Sequence, residues 1–264
     1  MRNFDYDALL LDLDGTVYRG REAVPGAVEA VAKARSAGLG IRFVTNNASR
    51  APQEVADHLA ELGFGATLEE VSTSAQAAAR MLVGLVEDGA PVLVLGTSAL
   101  ADEVRSRGFE PVREAGDARA VVQGLSQDLG WRELAEACVA IRDGARWIAC
   151  NVDATLPTER GLLPGNGSLV AALRTATGAE PLVAGKPATP LLEQAAKSLG
   201  AQRPLVVGDR LDTDIAGAVN AGMDSLLVLT GVSTEAEAAA LPQRWRPTHV
   251  APDLSTLDRL PLNP

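Results

Sequence analysis

DALLLDLDGTVY, residues 7–18, contains an apolar run of strand length, Ala8–Leu11, which ends in two carboxylates, Asp12 and Asp14. Alternate residues of an extended chain point to the same side, so both carboxylates face one site just beyond the strand. Gly15 then allows the backbone to turn away sharply. Because two neighbouring acids repel each other, the pattern predicts a bound cation between them.

The composition is that of a folded protein without a nucleic-acid surface. Among 264 residues, 47% are apolar and only 3% are aromatic. Val, Leu and Ala must therefore fill the core, which suits parallel sheets covered by helices. The net charge of −10 argues against a nucleic-acid partner. A small anionic substrate would need local positive groups to overcome this overall charge.

The sequence also predicts a cytoplasmic protein with no membrane association. Acidic residues interrupt the N-terminal region before any signal-like apolar segment, and no apolar run approaches the ~20 residues of a membrane span. The two cysteines and two histidines do not have zinc-ligand spacing. We expect the cysteines to be reduced core residues.

Alternating strand and helix patterns predict two α/β units. After the first strand come helical patterns and apolar strands that end in polar residues, at Ile41–Asn47 and Pro204–Asp209. Such alternation is typical of a parallel sheet with crossover helices. The pattern restarts at Pro91, after a helix expected over 74–87. We expect a Rossmann-like parallel-sheet core at 1–81 and 184–264, interrupted by a smaller inserted α/β cap at 82–183.

Four polar clusters follow apolar strands in this arrangement. They are Asp12 with Asp14, Thr45-Asn46-Asn47, Lys186, and the segment from Asp209 to Asp214. In an open parallel sheet, ligands bind outside the carboxyl ends of the strands, so these clusters are expected to converge on one crevice. Carboxylates, a lysine and hydrogen-bond donors together indicate phosphoryl transfer, which depends on positioning and charge neutralisation.

Each acid in this set has a chemical role. Asp12 is the expected nucleophile, and Asp14 the general acid and base that protonates the leaving oxygen and then activates water. Mg²⁺ prefers hard oxygen ligands. The Asp12 side chain, the backbone carbonyl of Asp14 and Asp209 are expected to provide three of them. Asp214 either holds a metal-bound water or orients Lys186 by charge. Asp212 is expected to be a helix N-cap.

The remaining polar groups are expected to contact the transferring phosphoryl group. Lys186 offsets negative charge on the nucleophile and on the phosphoryl oxygens. Thr45 and the backbone N–H of Asn46 donate hydrogen bonds to the same oxygens, and Asn47 completes this substrate-binding segment.

These clusters resemble the four motifs of the haloacid dehalogenase-like (HAD) hydrolase superfamily. The matching stretches are LLLDLDGTVY at 9–18, VTNN at 44–47, GKP at 185–187 and VGDRLDTDI at 207–215. The chain looks most like the type IIA subfamily, which includes 4-nitrophenylphosphatase-, phosphoglycolate phosphatase- and glycerol 3-phosphate phosphatase-like enzymes. The resemblance implies a Mg²⁺-dependent phosphatase of small phosphomonoesters that acts through an aspartyl-phosphate.

The resemblance also concerns the cap. The subfamily carries an Asn-x-Asp that faces its active site, which corresponds to Asn151 and Asp153 here. These two residues either touch the substrate or shape the loop. The family often dimerises through the cap, so a homodimer is a further expectation.

Two alternatives to the phosphatase remain open. A phosphotransferase or mutase would use the same aspartyl-phosphate but exclude water. A receiver-like signalling protein would also combine a strand-end Asp, Mg²⁺, Thr and Lys, but the general acid at Asp14 and the long insertion argue against it. The expected partner is a small phosphorylated metabolite. A C2–C3 phosphorylated acid or alcohol, a sugar phosphate and a nucleotide fragment all fit the sequence.

Overall fold

The computed structural model describes residues 6–158 and 160–259, so both ends of the predicted core, 1–5 and 260–264, lie outside the described residues. The chain forms two compact units. The first contains the residues up to Thr45, Pro52–Ser72 and the residues from Lys186 onward. The second contains Asn46–Ala51 and Thr73–Gly185.

Short strands and helices alternate along most of the described chain. In chain order, the strands are β1 (Ala8–Leu11), β2 (Tyr18–Arg19), β3 (Glu22–Ala23), β4 (Gly40–Thr45), β5 (Val71–Thr73), β6 (Pro91–Leu95), β7 (Glu110–Val112), β8 (Ala120–Gln123), β9 (Arg146–Ala149), β10 (Thr155–Thr158), β11 (Gly161–Pro164), β12 (Leu182–Val183), β13 (Pro204–Gly208), β14 (Asp224–Val228) and β15 (His249–Ala251). The α-helices are α1 (Ala27–Ser36), α2 (Pro52–Glu61), α3 (Ser74–Leu82), α4 (Ser98–Ser106), α5 (Trp131–Arg142), α6 (Asn166–Thr177), α7 (Pro190–Leu199), α8 (Ala216–Ala221) and α9 (Glu235–Ala240).

The first unit is built on a six-stranded sheet with the order β15-β14-β13-β1-β4-β5. β1 lies inside this sheet and pairs in parallel with both β13 and β4. All four residues of β1 are buried, as expected for a parallel strand covered on both faces. Truncating one of its leucines to alanine would destabilise the fold by about 2–5 kcal/mol. β1, β4 and β13 end at the same edge of the sheet, which places their following residues together.

The second unit has its own sheet, with the order β12-β9-β8-β6-β7, and an antiparallel hairpin formed by β10 and β11. β6, β8 and β9 pair in parallel, and α5 and α6 pack on their apolar side chains. The predicted fold class, a parallel-sheet α/β core with an additional smaller α/β unit, is confirmed.

One predicted helix is shorter than expected. We expected a helix over 74–87, but α3 ends at Leu82 and Val83 is already extended. Gly84 has φ 84°, which turns the chain out of the helix. In sequence, Val83 and Val86 continue the apolar helical pattern, but in the structure their backbones pair in an isolated β-bridge.

None of the helices in the described part of the chain combines the length and the hydropathy that a bilayer crossing requires.

Candidate active site

Asp12 stands at the carboxyl end of β1. Its backbone N–H donates to the carbonyl oxygen of Val207 at 2.8 Å, which extends the ladder with β13 by one residue. The chain then turns at Gly15, with φ 87°. The Asp12 side chain is 15% exposed, so the carboxylate is largely removed from water while one side remains accessible.

Lys186 joins two of the predicted acids. Its side chain is 2% exposed, and Nζ lies 2.5 Å from Oδ1 of Asp12 and 2.7 Å from Oδ1 of Asp214. Nζ also donates to the carbonyl oxygen of Val44 at 3.3 Å. A buried ammonium requires such compensation, because an unpaired buried charge is strongly destabilising. The structure therefore holds Lys186 as a fixed positive charge beside the expected nucleophile.

The titration of this buried pair follows from its surroundings. Burial alone lowers the pKa of Lys186, but the carboxylates of Asp12 and Asp214 together raise it above the usual value of a lysine. Burial raises the pKa of Asp12, and the charge of Asp214 raises it further, against the opposing effect of Lys186. The lysine therefore stays charged, and without a metal Asp12 is the group that resists ionisation.

Asp209 and Asp214 come from the turn after β13. Each is 1% exposed. Residues Leu211–Ile215 form a single π-helical turn, a feature often found at functional sites. The backbone N–H of Arg210 donates to Oδ2 of Asp214 at 3.1 Å. A Cβ on Gly208 would lie 2.3 Å from the Cβ of Asp214, so the turn closes only with glycine at this position.

Three carboxylates form a cluster that fits a divalent cation. Asp12, Asp209 and Asp214 each offer one oxygen, and these oxygens lie within 4.8 Å of one another. Oδ1 of Asp209 is buried and has no hydrogen-bond partner among the described residues. Burial and the charge of Asp214 raise the pKa of Asp209 to about 6, against the backbone N–H of Val232. One lysine cannot balance three acids, and hard oxygen ligands suit Mg²⁺.

The other predicted residues of the first unit lie near the same strand ends. Thr45 is the last residue of β4 and is 8% exposed. Asp14 is exposed, two residues beyond Asp12. Thr16 was not among the predicted site residues. It is fully buried, and its hydroxyl donates to Oδ2 of Asp12 at 3.5 Å. The sequence feature that could have identified Thr16 is its position in the DLDGT motif, four residues after Asp12.

Three of the predicted substrate-binding residues form a network inside the second unit. Asn46 Nδ2 donates to Asp153 Oδ2 at 3.2 Å, and Asn151 Nδ2 donates to the carbonyl oxygen of Asn46 at 2.7 Å. The hydroxyl of Ser74 donates to the same carbonyl at 2.5 Å. Behind them, buried Asn166 donates to the carbonyl oxygen of Asn151 at 2.7 Å. Neither Ser74 nor Asn166 was among the predicted site residues.

Two further polar residues accept hydrogen bonds from near neighbours in sequence. Oδ1 of Asn47 accepts hydrogen bonds from the backbone N–H and the hydroxyl of Ser49. The prediction that Asp212 is an N-cap was wrong, because the N-cap position of the turn is Arg210. Asp212 instead accepts two hydrogen bonds from the guanidinium of Arg210, at 3.0 and 2.8 Å.

Known proteins match the chain along both parts of the first unit. The haloacid dehalogenase-like hydrolase family model matches residues 9–110, and the HAD-hydrolase-like model matches residues 183–257. The chain is 58% identical over 254 residues to the D-glycerol 3-phosphate phosphatase of Mycobacterium tuberculosis, covering 96% of this chain and 71% of that protein. The chain belongs to the haloacid dehalogenase-like hydrolase family.

Further relatives of this HAD-family chain are also phosphatases. It is 40% identical to the 5′-nucleotidase YutF of Bacillus subtilis, over 95% of this chain and 96% of that protein. The crystal structure of the glycerol phosphate phosphatase of M. tuberculosis in complex with magnesium is 56% identical, with a TM-score of 0.92 over 96% of this chain and 76% of that one. The predictions of the type IIA subfamily, of a phosphoric monoester hydrolase and of Mg²⁺ as cofactor are confirmed.

Proposed function

We propose that this HAD-family hydrolase releases inorganic phosphate from a small phosphomonoester through a covalent phosphoryl adduct on Asp12. The observation that carries the proposal is the position of Asp12 between a buried lysine and a cluster of carboxylates. Lys186 lies 2.5 Å from one oxygen of Asp12, and Asp209 and Asp214 are the other two carboxylates of the candidate cation site. A carboxylate so placed is both oriented and accompanied by positive charge, as nucleophilic catalysis requires.

In the first step, an oxygen of the Asp12 carboxylate attacks phosphorus. A bond between that oxygen and phosphorus forms, and the bond from phosphorus to the ester oxygen breaks. Asp14, protonated at this point, donates its proton to the leaving oxygen, so that the alcohol departs neutral. Lys186 neutralises charge near the transferred group, and bound Mg²⁺ supplies the additional positive charge.

In the second step, the Asp14 carboxylate removes a proton from water. The water oxygen attacks phosphorus, the bond from phosphorus to Asp12 breaks, and inorganic phosphate leaves. The Asp12 carboxylate is thereby regenerated. Asp214, buried and paired with Lys186 at 2.7 Å, keeps the ammonium in place throughout both steps. This contact supports the alternative in which Asp214 orients Lys186.

Among the substrate classes that the sequence leaves open, we favour a glycerol phosphate, a phosphorylated C3 alcohol. The support is the 58% identity to a D-glycerol 3-phosphate phosphatase, against 40% to a 5′-nucleotidase over a similar length of this chain. Substrate selection is assigned to the predicted cap, 82–183, and Asp153 is its best candidate residue. A homodimer through this region also stays a prediction, which light scattering of the purified protein would test.

The test is a comparison of phosphate release from several esters in the presence of Mg²⁺. Glycerol 3-phosphate should give the highest kcat/KM, above a sugar phosphate, a 5′-nucleotide and phosphoglycolate, with 4-nitrophenyl phosphate as a generic ester. Free glycerol in excess, added to the reaction with 4-nitrophenyl phosphate, separates hydrolysis from phosphoryl transfer. A phosphotransferase would then release less inorganic phosphate than 4-nitrophenol. A preference for the nucleotide, or no turnover with any ester, would contradict the proposal.

A further inference from the structure

A loop outside the four motifs contacts both strand-end turns of the metal site. We call Thr230–Ser233, which follows β14, the 230–233 loop. The hydroxyl of Thr230 donates to the carbonyl oxygen of Gly15 at 2.6 Å. The backbone N–H of Val232 donates to Oδ2 of Asp209 at 2.7 Å. The loop therefore joins the segment that carries Asp14 to one of the candidate metal ligands.

The contact with Asp209 engages one carboxylate oxygen and leaves the other without a hydrogen-bond partner among the described residues. Oδ2 is held by the N–H of Val232, whereas buried Oδ1 has no hydrogen-bond partner among the described residues. The loop also holds the backbone here, since the N–H of Ser233 donates to the carbonyl oxygen of Asp209 at 3.1 Å. Fixing one oxygen sets the plane of the carboxylate and leaves the other oxygen for a ligand bond.

Two glycines bring backbone against the Asp209 carboxylate. A Cβ on Gly231 would lie 1.8 Å from Oδ2 of Asp209, and a Cβ on Gly15 would lie 2.6 Å from the same atom. Real side chains do not approach so closely, so both positions need glycine for the carboxylate to keep this orientation. Asp209 is thus confined between the loop after β1 and the 230–233 loop.

The contact with Gly15 fixes the peptide groups that follow Asp14. The N–H of Gly15 donates to the carbonyl oxygen of Tyr18 at 2.8 Å, and its carbonyl accepts from Thr230. In a trans peptide the C=O and N–H point in opposite directions, so the first bond also sets the direction of the Asp14 carbonyl. That carbonyl is a predicted Mg²⁺ ligand.

We propose that Thr230 and the backbone N–H of Val232 are positioning groups that set the geometry of the Mg²⁺ site. Thr230 acts through the Gly15 backbone, and Val232 acts through the Asp209 carboxylate. The inference rests on the metal site of the proposed function. Groups that orient metal ligands typically change metal affinity by about 10–100-fold when removed.

The test measures Mg²⁺ binding by calorimetry on the full chain without substrate. Thr230→Val keeps the shape of the side chain and removes the hydroxyl, and it should weaken Mg²⁺ binding by about 10-fold. Thr230→Ser keeps the hydroxyl and should bind within about 3-fold of wild type. In the assay, the kcat of Thr230→Val should recover when Mg²⁺ is raised, since the defect lies in metal binding rather than in chemistry.

A matched control is available in the same unit. The hydroxyl of Thr256 donates to the carbonyl oxygen of Asp253, also at 2.6 Å. Thr256→Val therefore removes a similar bond far from the motif residues in sequence, and should leave Mg²⁺ affinity unchanged even if it lowers Tm. Thr230→Ala is a second hydroxyl-free variant should the valine variant not fold.

The outcomes separate this proposal from the proposed function. Wild-type protein that binds no Mg²⁺ would contradict the metal site itself. Wild-type binding together with unchanged affinity in Thr230→Val or Thr230→Ala would overturn only the positioning role. Equal weakening in Thr230→Ser and Thr230→Val would overturn it as well, because the hydroxyl would then not be the group that matters.

Discussion

The ammonium of Lys186 lies 2.5 Å from Oδ1 of Asp12, and its side chain is only 2% exposed. The two residues are 174 positions apart in sequence. Neither charge is well solvated, so each depends on the other. This pair ties the beginning of the chain to the segment that returns after the second unit.

Replacing Lys186 by methionine should therefore impair both folding and catalysis. Removing one partner of a buried ion pair is destabilising by about 3–5 kcal/mol, because the remaining carboxylates lose their compensation. Urea denaturation should show this loss, and added Mg²⁺ should restore part of it. Lys197→Met, at an exposed position of α7, is the control and should stay close to wild type. An unchanged midpoint for Lys186→Met would contradict the pair's structural role.

Asp14→Asn should separate the two chemical steps. The variant keeps the backbone carbonyl and loses the proton shuttle, which slows turnover by about 10²–10⁴-fold. With 4-nitrophenyl phosphate, whose leaving group needs little acid assistance, the adduct on Asp12 should accumulate. A burst of 4-nitrophenol and a mass gain of about 80 Da would detect it.

Asp12→Asn is the companion variant of this experiment. It lacks the nucleophile, so it should show neither burst nor mass gain while remaining folded. Asp212→Asn is the matched surface control, since the Asp212 side chain is 70% exposed and forms an ion pair with Arg210. It should turn over within about 2-fold of wild type. Wild-type turnover by Asp14→Asn would refute its acid–base role.

Stability without metal should fall as pH rises through the range in which Asp209 ionises. Its pKa is raised to about 6 in the folded protein, mainly by burial, against about 3.9 in an unfolded chain. The folded state binds more protons between these values. As the pH rises from about 4 to about 6, ionisation of this carboxyl therefore lowers the free energy of unfolding by up to about 3 kcal/mol in total.

Mg²⁺ should reverse this trend, because it binds the ionised carboxylates. Melting curves with EDTA and with Mg²⁺ would measure the effect at about pH 5 and about pH 7.5. The Mg²⁺-induced increase in Tm should be larger at the higher pH. Asp209→Asn removes the ionisable group and should show a smaller pH dependence of Tm in EDTA. The same dependence in that variant would assign the effect to other acids.

Asn151 should act by shaping the segment around Asn46. Its Nδ2 donates to the carbonyl oxygen of Asn46, and its Oδ1 accepts from the backbone N–H of Asp153 at 3.2 Å, so both ends of the amide are engaged within the second unit. Ser74 donates to the same carbonyl. Asn151→Ala and Ser74→Ala should therefore produce similar losses in kcat/KM and should not be additive.

A double-mutant cycle over these two variants measures that coupling. Strong coupling agrees with a shared role in holding the carbonyl. Additive effects, together with a much larger increase in KM for Asn151→Ala, would show instead that Asn151 touches the substrate. Thr175→Val, which removes an exposed hydroxyl bonded within α6, is the control and should leave both kinetic constants unchanged.

The sequence by itself determined the fold class and the identities of the charged groups. Buried parallel strands are near-continuous apolar runs, so β1 and β13 could be recognised directly, and the carboxylates that follow them lie in a local pattern. Short strands that contain proline, such as β7 and β10, carry no such signal and were missed. The assignment of Asp212 as an N-cap was wrong because helix-start preferences do not anticipate a π turn at that position.

Only the tertiary structure decided which groups meet. The contacts of Lys186 with Asp12 and of Thr230 with Gly15 span 174 and 215 positions of sequence. Contacts at such separations depend on how strands are ordered in the sheet, and no local pattern specifies them. Likewise, that Val232 holds one oxygen of Asp209 through its backbone N–H is invisible in sequence, because every residue except proline carries the same group.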